Sequence, residues 1–84
     1  MNRVDKAGLL RCFQYAEKNN QNYILVEIQI EDYPEVEIIL IKNENFADKI
    51  KYYIENYNEQ LQLKHNNSIE IVNFYSFNKF KIED

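Results

Sequence analysis

The groups in this chain best placed to do chemistry are carboxylates. Residues 19–41 hold Glu27, Glu31, Asp32, Glu35 and Glu37 and no Lys or Arg, so every fixed charge of the stretch is negative. Carboxylates gathered without counterions can hold a hard cation, act as acid and base, or attract a basic partner. The first two uses need a cleft in which the oxygens converge, and the same residues read as a convex β-hairpin that offers none. Recognition of a basic surface is the use that remains. Cys12 falls on the apolar stripe of a helix, where an inert thiol is expected rather than a nucleophile. His65 sits beside Asn66 and Asn67 in a polar turn, with no Cys or acidic cluster at metal-ligand spacing. A chain with one Gly cannot build a phosphate-cradling loop, and the hydrolase and metalloprotease motifs are absent. The expectation is a non-enzymatic protein with no cofactor and no metal.

Positioning these groups falls to a short set of elements. Leu9, Cys12, Phe13 and Ala16 recur at helical spacing and predict a helix over 5–18, stopped by Asn19, Asn20 and Asn22. Gly8 lies inside it, where it either permits close packing or weakens the first turn at about 1 kcal/mol relative to Ala. From Tyr23 the period becomes two, with Ile24, Val26, Ile28 and Ile30 on one face and Leu25, Glu27, Gln29 and Glu31 on the other. The alternation resumes after Pro34 with Val36, Ile38 and Leu40 against Glu35, Glu37, Ile39 and Ile41. A three-residue loop then sets Ile30 opposite Val36, Ile28 opposite Ile38 and Val26 opposite Leu40 on the core face. A second helix is predicted over 45–57 from Phe46, Ile50, Tyr53, Ile54 and Tyr57, with Asn45 and Asp48 serving its first turn. A turn at 65–68 leads into a strand over 69–77, and 61–64 can add a short strand beside it.

The expected fold class is α+β: helix, strand, strand, helix, strand, in a sheet of three or, with the short strand, four strands, both helices covering one face. A crossover through the second helix would lay the last strand beside the first and parallel to it. One domain spans 1–84, with 78–84 as a flexible tail.

On the outer face of the predicted hairpin Glu31 stands opposite Glu35 and Gln29 opposite Glu37, with Asp32 at the tip. Like charges directly opposed are mildly destabilising, a cost that a docking surface for a basic protein would recover in on-rate and specificity. The bland reading is a solvated face that discourages edge pairing. Leu25, Ile39 and Ile41 make the other end of that face apolar, which suits either a protein interface or a helix that covers it and leaves both faces partly buried. Tyr33 and Tyr52 are the candidate aromatic anchors, because Tyr buries large area at low entropy cost. The candidate binding residues are therefore Glu27, Glu31, Asp32, Tyr33, Glu35, Glu37 and Tyr52.

A net charge of −4 argues against docking on phosphates, whose affinity comes from clustered Lys and Arg, so no direct nucleic-acid ligand is expected. A single Cys cannot form an internal disulfide and points to a reducing, cytoplasmic setting. No apolar run approaches the ~20 residues that span a bilayer, and residues 1–4 lead into a charged helix rather than a signal peptide.

The segment 34–74, through Pro34-Glu35, Glu37-Ile38-Ile39, 43–46, Lys49, Tyr52-Tyr53, Tyr57, Leu61, Leu63-Lys64, Ile69, Ile71 and Phe74, resembles small proteins encoded by phages and prophages of low-GC Gram-positive bacteria. The resemblance implies a phage accessory role and carries over no activity or binding residue. In architecture and charge the chain is also similar, more loosely, to the small acidic anti-CRISPR proteins, some of which look like mimics of the DNA that a basic nuclease groove expects. The expected function is binding of a host or phage protein, such as a basic nucleic-acid enzyme, through the acidic hairpin. The alternative is a self-associating subunit, a homodimer in its simplest form.

Overall fold

A computed structural model of the chain describes residues 4–78. The first helix, α1 (Lys6–Lys18), opens on Asp5, whose carboxylate accepts the Gly8 N–H at 2.8 Å, satisfying one of the amides a helix start leaves unpaired. Its end follows from Asn20, in the left-handed region at φ 55°. From there the Asn20 N–H reaches the Glu17 carbonyl and the Gln21 N–H the Ala16 carbonyl, the paired closure of a left-handed helix stop. Gly8, Leu9, Phe13 and Ala16 are buried.

The strands are β1 (Tyr23–Ile30), β2 (Glu37–Lys42), β3 (Gln62–Leu63) and β4 (Asn66–Phe77), in the spatial order β2-β1-β4-β3 with every pairing antiparallel. A 3-10 turn at Asn43–Asn45 feeds α2 (Phe46–Asn56). Asn45 makes no side-chain capping bond, since it already belongs to that turn; Asp48 lies in the first turn as expected. Phe46 and Tyr53 are buried and Ile50 packs against the core, whereas Ile54, expected on the same stripe, is exposed. Both helices lie on one face of the sheet. Leu9 and Phe13 of α1 join Phe46 and Tyr53 of α2, Ile24, Val26 and Ile28 of β1, Ile41 of β2, and Ile71 and Phe74 of β4 in one core. Phe13 meets Phe46 edge-on at 5.4 Å and lies 6.2 Å from Tyr53.

Two expectations are corrected. The hairpin loop is six residues, 31–36, rather than three, and the register moves by one: Val26 faces Ile39, Ile24 faces Ile41 and Ile28 faces Glu37. A one-residue slip turns every side chain of a strand over. Ile39 and Ile41 therefore point to the helices, while Ile38 and Leu40 point away. The second correction is direction, since β4 runs antiparallel to β1. The short β3 uses the forward course after α2, and the tight turn at Lys64 and His65 then reverses the chain before β4 begins. Of the expected tail at 78–84, residues 79–84 lie outside the described residues.

The two helices are tied at their ends by Lys6. Its side chain is only 9% exposed, and Nζ donates to the carbonyls of Ile54 and Tyr57, each at 2.7 Å. The Lys6 amide donates to the Glu59 carbonyl at 3.0 Å. No basic residue of α2 itself lies in its last turn, so the cation that this helix end favours comes from the start of α1.

Candidate protein-binding surface

With both helices on one side, no element among the described residues covers the other face of the sheet. Register places Leu40, Leu25 and Tyr75 in one row across β2, β1 and β4, and Ile38, Glu27 and Asn73 in the next. Ile38 is 61% exposed and Tyr75 46%, and Leu40 and Val72 are exposed too. Leu25, flanked by Leu40 and Tyr75, is the buried centre of the row. Glu27 accepts a hydrogen bond from Asn73 Nδ2 at 2.6 Å, which fixes its carboxylate within the face. At the far margin Tyr23 stacks on Phe77 at 5.3 Å beside Lys42. The apolar patch on this face is thus Leu25, Ile38 and Leu40 with Val72 and Tyr75, replacing the expected Leu25, Ile39 and Ile41.

Beyond the Ile38 end of the face lies the loop 31–36, exposed throughout. Its stem is anchored: the Glu31 N–H donates to the Ser68 carbonyl at 2.8 Å, the Tyr33 N–H to the Ile30 carbonyl at 3.0 Å, and Gln29 Nε2 to the Tyr33 carbonyl at 2.7 Å. Asp32 takes the left-handed conformation at φ 72°, which short Asx side chains tolerate. Glu31, Asp32, Tyr33 and Glu35 are displayed together on this loop, and Glu37, exposed, begins β2. Glu31, Asp32, Glu35 and Glu37 form no ion pair among the described residues. The corrected register removes the opposed pairs Glu31 with Glu35 and Gln29 with Glu37.

Five of the seven candidate binding residues, Glu31, Asp32, Tyr33, Glu35 and Glu37, thus lie at the loop end, Glu37 on the parity of Ile39 and Ile41, while Glu27 stands within the open face. The seventh, Tyr52, lies on α2 across the sheet from the open face. It is 42% exposed, packs edge-on to Tyr53 and Tyr57, and carries Lys49 Nζ 5.3 Å over its ring. Ile38, Leu40, Val72 and Tyr75 were not among the sequence candidates. The signal that could have found the first two is Lys42, which the expected register would have turned toward the core.

Burial first, and Ser76 less strongly in the opposite sense, set the Cys12 thiol above its usual range, which lowers its thiolate fraction and its reactivity. Tyr53 and Tyr57 are also raised, by burial and then by neighbouring tyrosines. Among the described residues no group of three or more His, Cys, Asp or Glu is placed to hold a metal ion, and no helix is long and apolar enough to cross a membrane. Comparison with protein-family models, curated proteins and solved structures found no match to this chain.

Proposed function

We propose that this is a non-enzymatic phage or prophage accessory protein that binds another protein through the open face of its sheet and the acidic loop beside it. The observation that carries the reading is that face. Leu25, Ile38, Leu40, Val72 and Tyr75 form an apolar patch opposite the helices, the sort of surface that marks an interaction site in a small domain. The loop acids Glu31, Asp32 and Glu35 lie beyond one end of it, Glu27 stands within it, and Glu37 is exposed at the same end of β2 on the parity of Ile39 and Ile41. A partner that matches both presents an apolar patch beside basic residues, as the substrate groove of a nucleic-acid enzyme can. The acidic loop steers the encounter and the apolar rows hold the complex, so inhibition would be by occlusion of the groove.

The test is a pull-down from a lysate of a low-GC Gram-positive bacterium at low and at raised salt, with the wild type beside a Glu31→Lys, Glu35→Lys, Glu37→Lys variant. A protein held by the wild type, released by salt and lost in the variant is the expected result, since exposed charge pairs are screened within about 8 Å at physiological ionic strength. The same partner held by a folded variant would remove the acidic loop from the account.

One observation favours self-association as the second reading. Charge on the open face is polarised, acidic at the loop end and carrying Lys42 at the other, so two copies stacked with strands antiparallel would set opposite charges together. Sedimentation velocity separates the readings: a dimer lost in Ile38→Glu supports assembly, and a monomer at all concentrations supports a foreign partner.

A further inference from the structure

Among the described residues, the edge of β4 that faces away from β1 is paired at its start. β3 meets it at Asn66 and Glu70, and the Ile71 N–H reaches the Leu61 carbonyl at 2.9 Å. Over residues 72–76 no strand lies beside it among the described residues. Hydrogen-bond parity says which groups this edge offers. The Glu31 N–H bonds to Ser68 on the β4 side, and the Asn43 N–H bonds to Asn22 on the β2 side. In an antiparallel ladder each residue directs both backbone groups to one side, alternating along the strand. Odd-numbered residues of β1 therefore address β4 and even-numbered ones β2. Val72 is the extra residue of a bulge between the Ile28–Ile71 and Glu27–Asn73 pairs, and beyond it Asn73 and Tyr75 face β1. Phe74 and Ser76 are left directing N–H and C=O outward, with no backbone partner among the described residues.

A groove of about 420 Å3 runs beside these groups, lined by Arg11, Cys12 and Tyr15 of α1 and by Tyr75 and Ser76 of β4. Tyr75 and Ser76 point to opposite faces of the sheet, so a cavity that touches both must lie along the strand's edge. Its walls include the exposed rings of Tyr15 and Tyr75, and among the described residues its one charged lining residue is Arg11, which forms no ion pair with them.

We propose that the groove between α1 and the outer edge of β4 binds an extended peptide segment that pairs with Phe74 and Ser76 as an added strand and places an acidic side chain against Arg11. Main-chain pairing supplies affinity in such strand addition, and the pocket for alternate side chains supplies selection. A guanidinium selects a carboxylate, which it can bind through two parallel hydrogen bonds. Charge also decides against a second β4 in the same groove, because residues 73–77 carry no acid to meet Arg11. The groove lies roughly 20 Å from the acidic loop, at about 3.3 Å per residue along β1, so the two surfaces can be engaged independently.

The test uses the full chain, isotopically labelled, and two pools of acetylated, amidated nonapeptides with either Glu or Lys fixed at the centre and β-branched or polar residues elsewhere. The Glu pool is expected to bind, with shift changes and slowed amide exchange at Phe74 and Ser76. Arg11→Gln should weaken it about tenfold, the scale of one charge-assisted contact, and Arg11→Glu should reverse the preference to the Lys pool. Ser76→Pro should abolish binding of both pools while β1 and β2 keep their exchange protection, since proline is tolerated where the strand N–H points off the edge. Equal binding of the two pools, binding of neither, slowed exchange at the β2 edge instead, or slowing at Phe74 and Ser76 that depends on protein concentration without peptide would each overturn the proposal.

Discussion

Replacing Lys6 by Met removes the ammonium and keeps most of the apolar stem, so it isolates what the cation does at the end of α2. Nζ makes two bonds of 2.7 Å to the carbonyls of Ile54 and Tyr57. Hydrogen bonds to a charged group contribute about 1.5 to 3 kcal/mol each, and a cation at a partly buried helix C-terminus up to about 2 kcal/mol. These overlap, because the same two carbonyls carry both effects, and the side-chain entropy lost on burial is similar for Lys and Met, so it drops out of the comparison. A net loss of about 3 kcal/mol is expected. Against a total stability of roughly 4 to 13 kcal/mol for a chain of this length, that is a quarter or more of the fold. Urea unfolding reads it directly: with a slope of about 1 to 1.5 kcal/mol/M, the midpoint should fall by about 2 to 3 M. Lys6→Ala should cost more, because the buried stem is lost as well. A Lys6→Met protein within about 0.5 kcal/mol of wild type would refute the reasoning and reduce the contact to a solvated ammonium resting on a helix end.

The buried hydroxyl of Tyr53 has no hydrogen-bond partner among the described residues, and burying such a group costs about 1 to 3 kcal/mol. Tyr53→Phe should therefore stabilise the fold by about 1 kcal/mol, raising Tm by about 4 to 8 °C; a lower Tm would mean that the hydroxyl is bonded. Burial raises the folded-state phenols of Tyr53 and Tyr57 above the ordinary 10.0, so the unfolded chain gives up these protons first. Stability tied to them is fully present below pH 10 and lost as pH rises above it. The alkaline slope measured by urea unfolding should be shallower in Tyr53→Phe, and an unchanged slope would assign it to other groups. The corrected hairpin register is tested by a pair of substitutions: Ile39→Glu should cost about 3 kcal/mol or more by placing a carboxylate against the core, and Ile38→Glu under about 0.5 kcal/mol. The reverse order would restore the three-residue loop.

Which parts of this fold were legible follows from where the sequence was one-sided. In α1 the stripe of Leu9, Phe13 and Ala16 has no competitor, and in β1 Glu27 and Gln29 mark the outward parity against Val26 and Ile28. In β2 both parities are apolar, Ile38 and Leu40 against Ile39 and Ile41, and the charges disagree, with Glu37 on one parity and Lys42 on the other. Pattern cannot choose a face there, and the six-residue loop, which no turn signature announced, made the choice. The acids of the candidate surface were readable as charge, because charge is a property of composition. Their neighbours were not, since the register decides whether Ile38 or Ile39 stands beside Glu27. Long-range groupings were further out of reach. Lys6 is bound by backbone carbonyls 48 and 51 residues away, and a carbonyl has no letter in the sequence. The groove needs α1 laid over a β4 that runs antiparallel to β1, an orientation set by the two residues of β3. Only that reversal puts Ser76 and Tyr75 beside Arg11 and Tyr15. With the expected parallel strand, those four residues would share no surface, and Arg11 would be one more solvated charge on a helix.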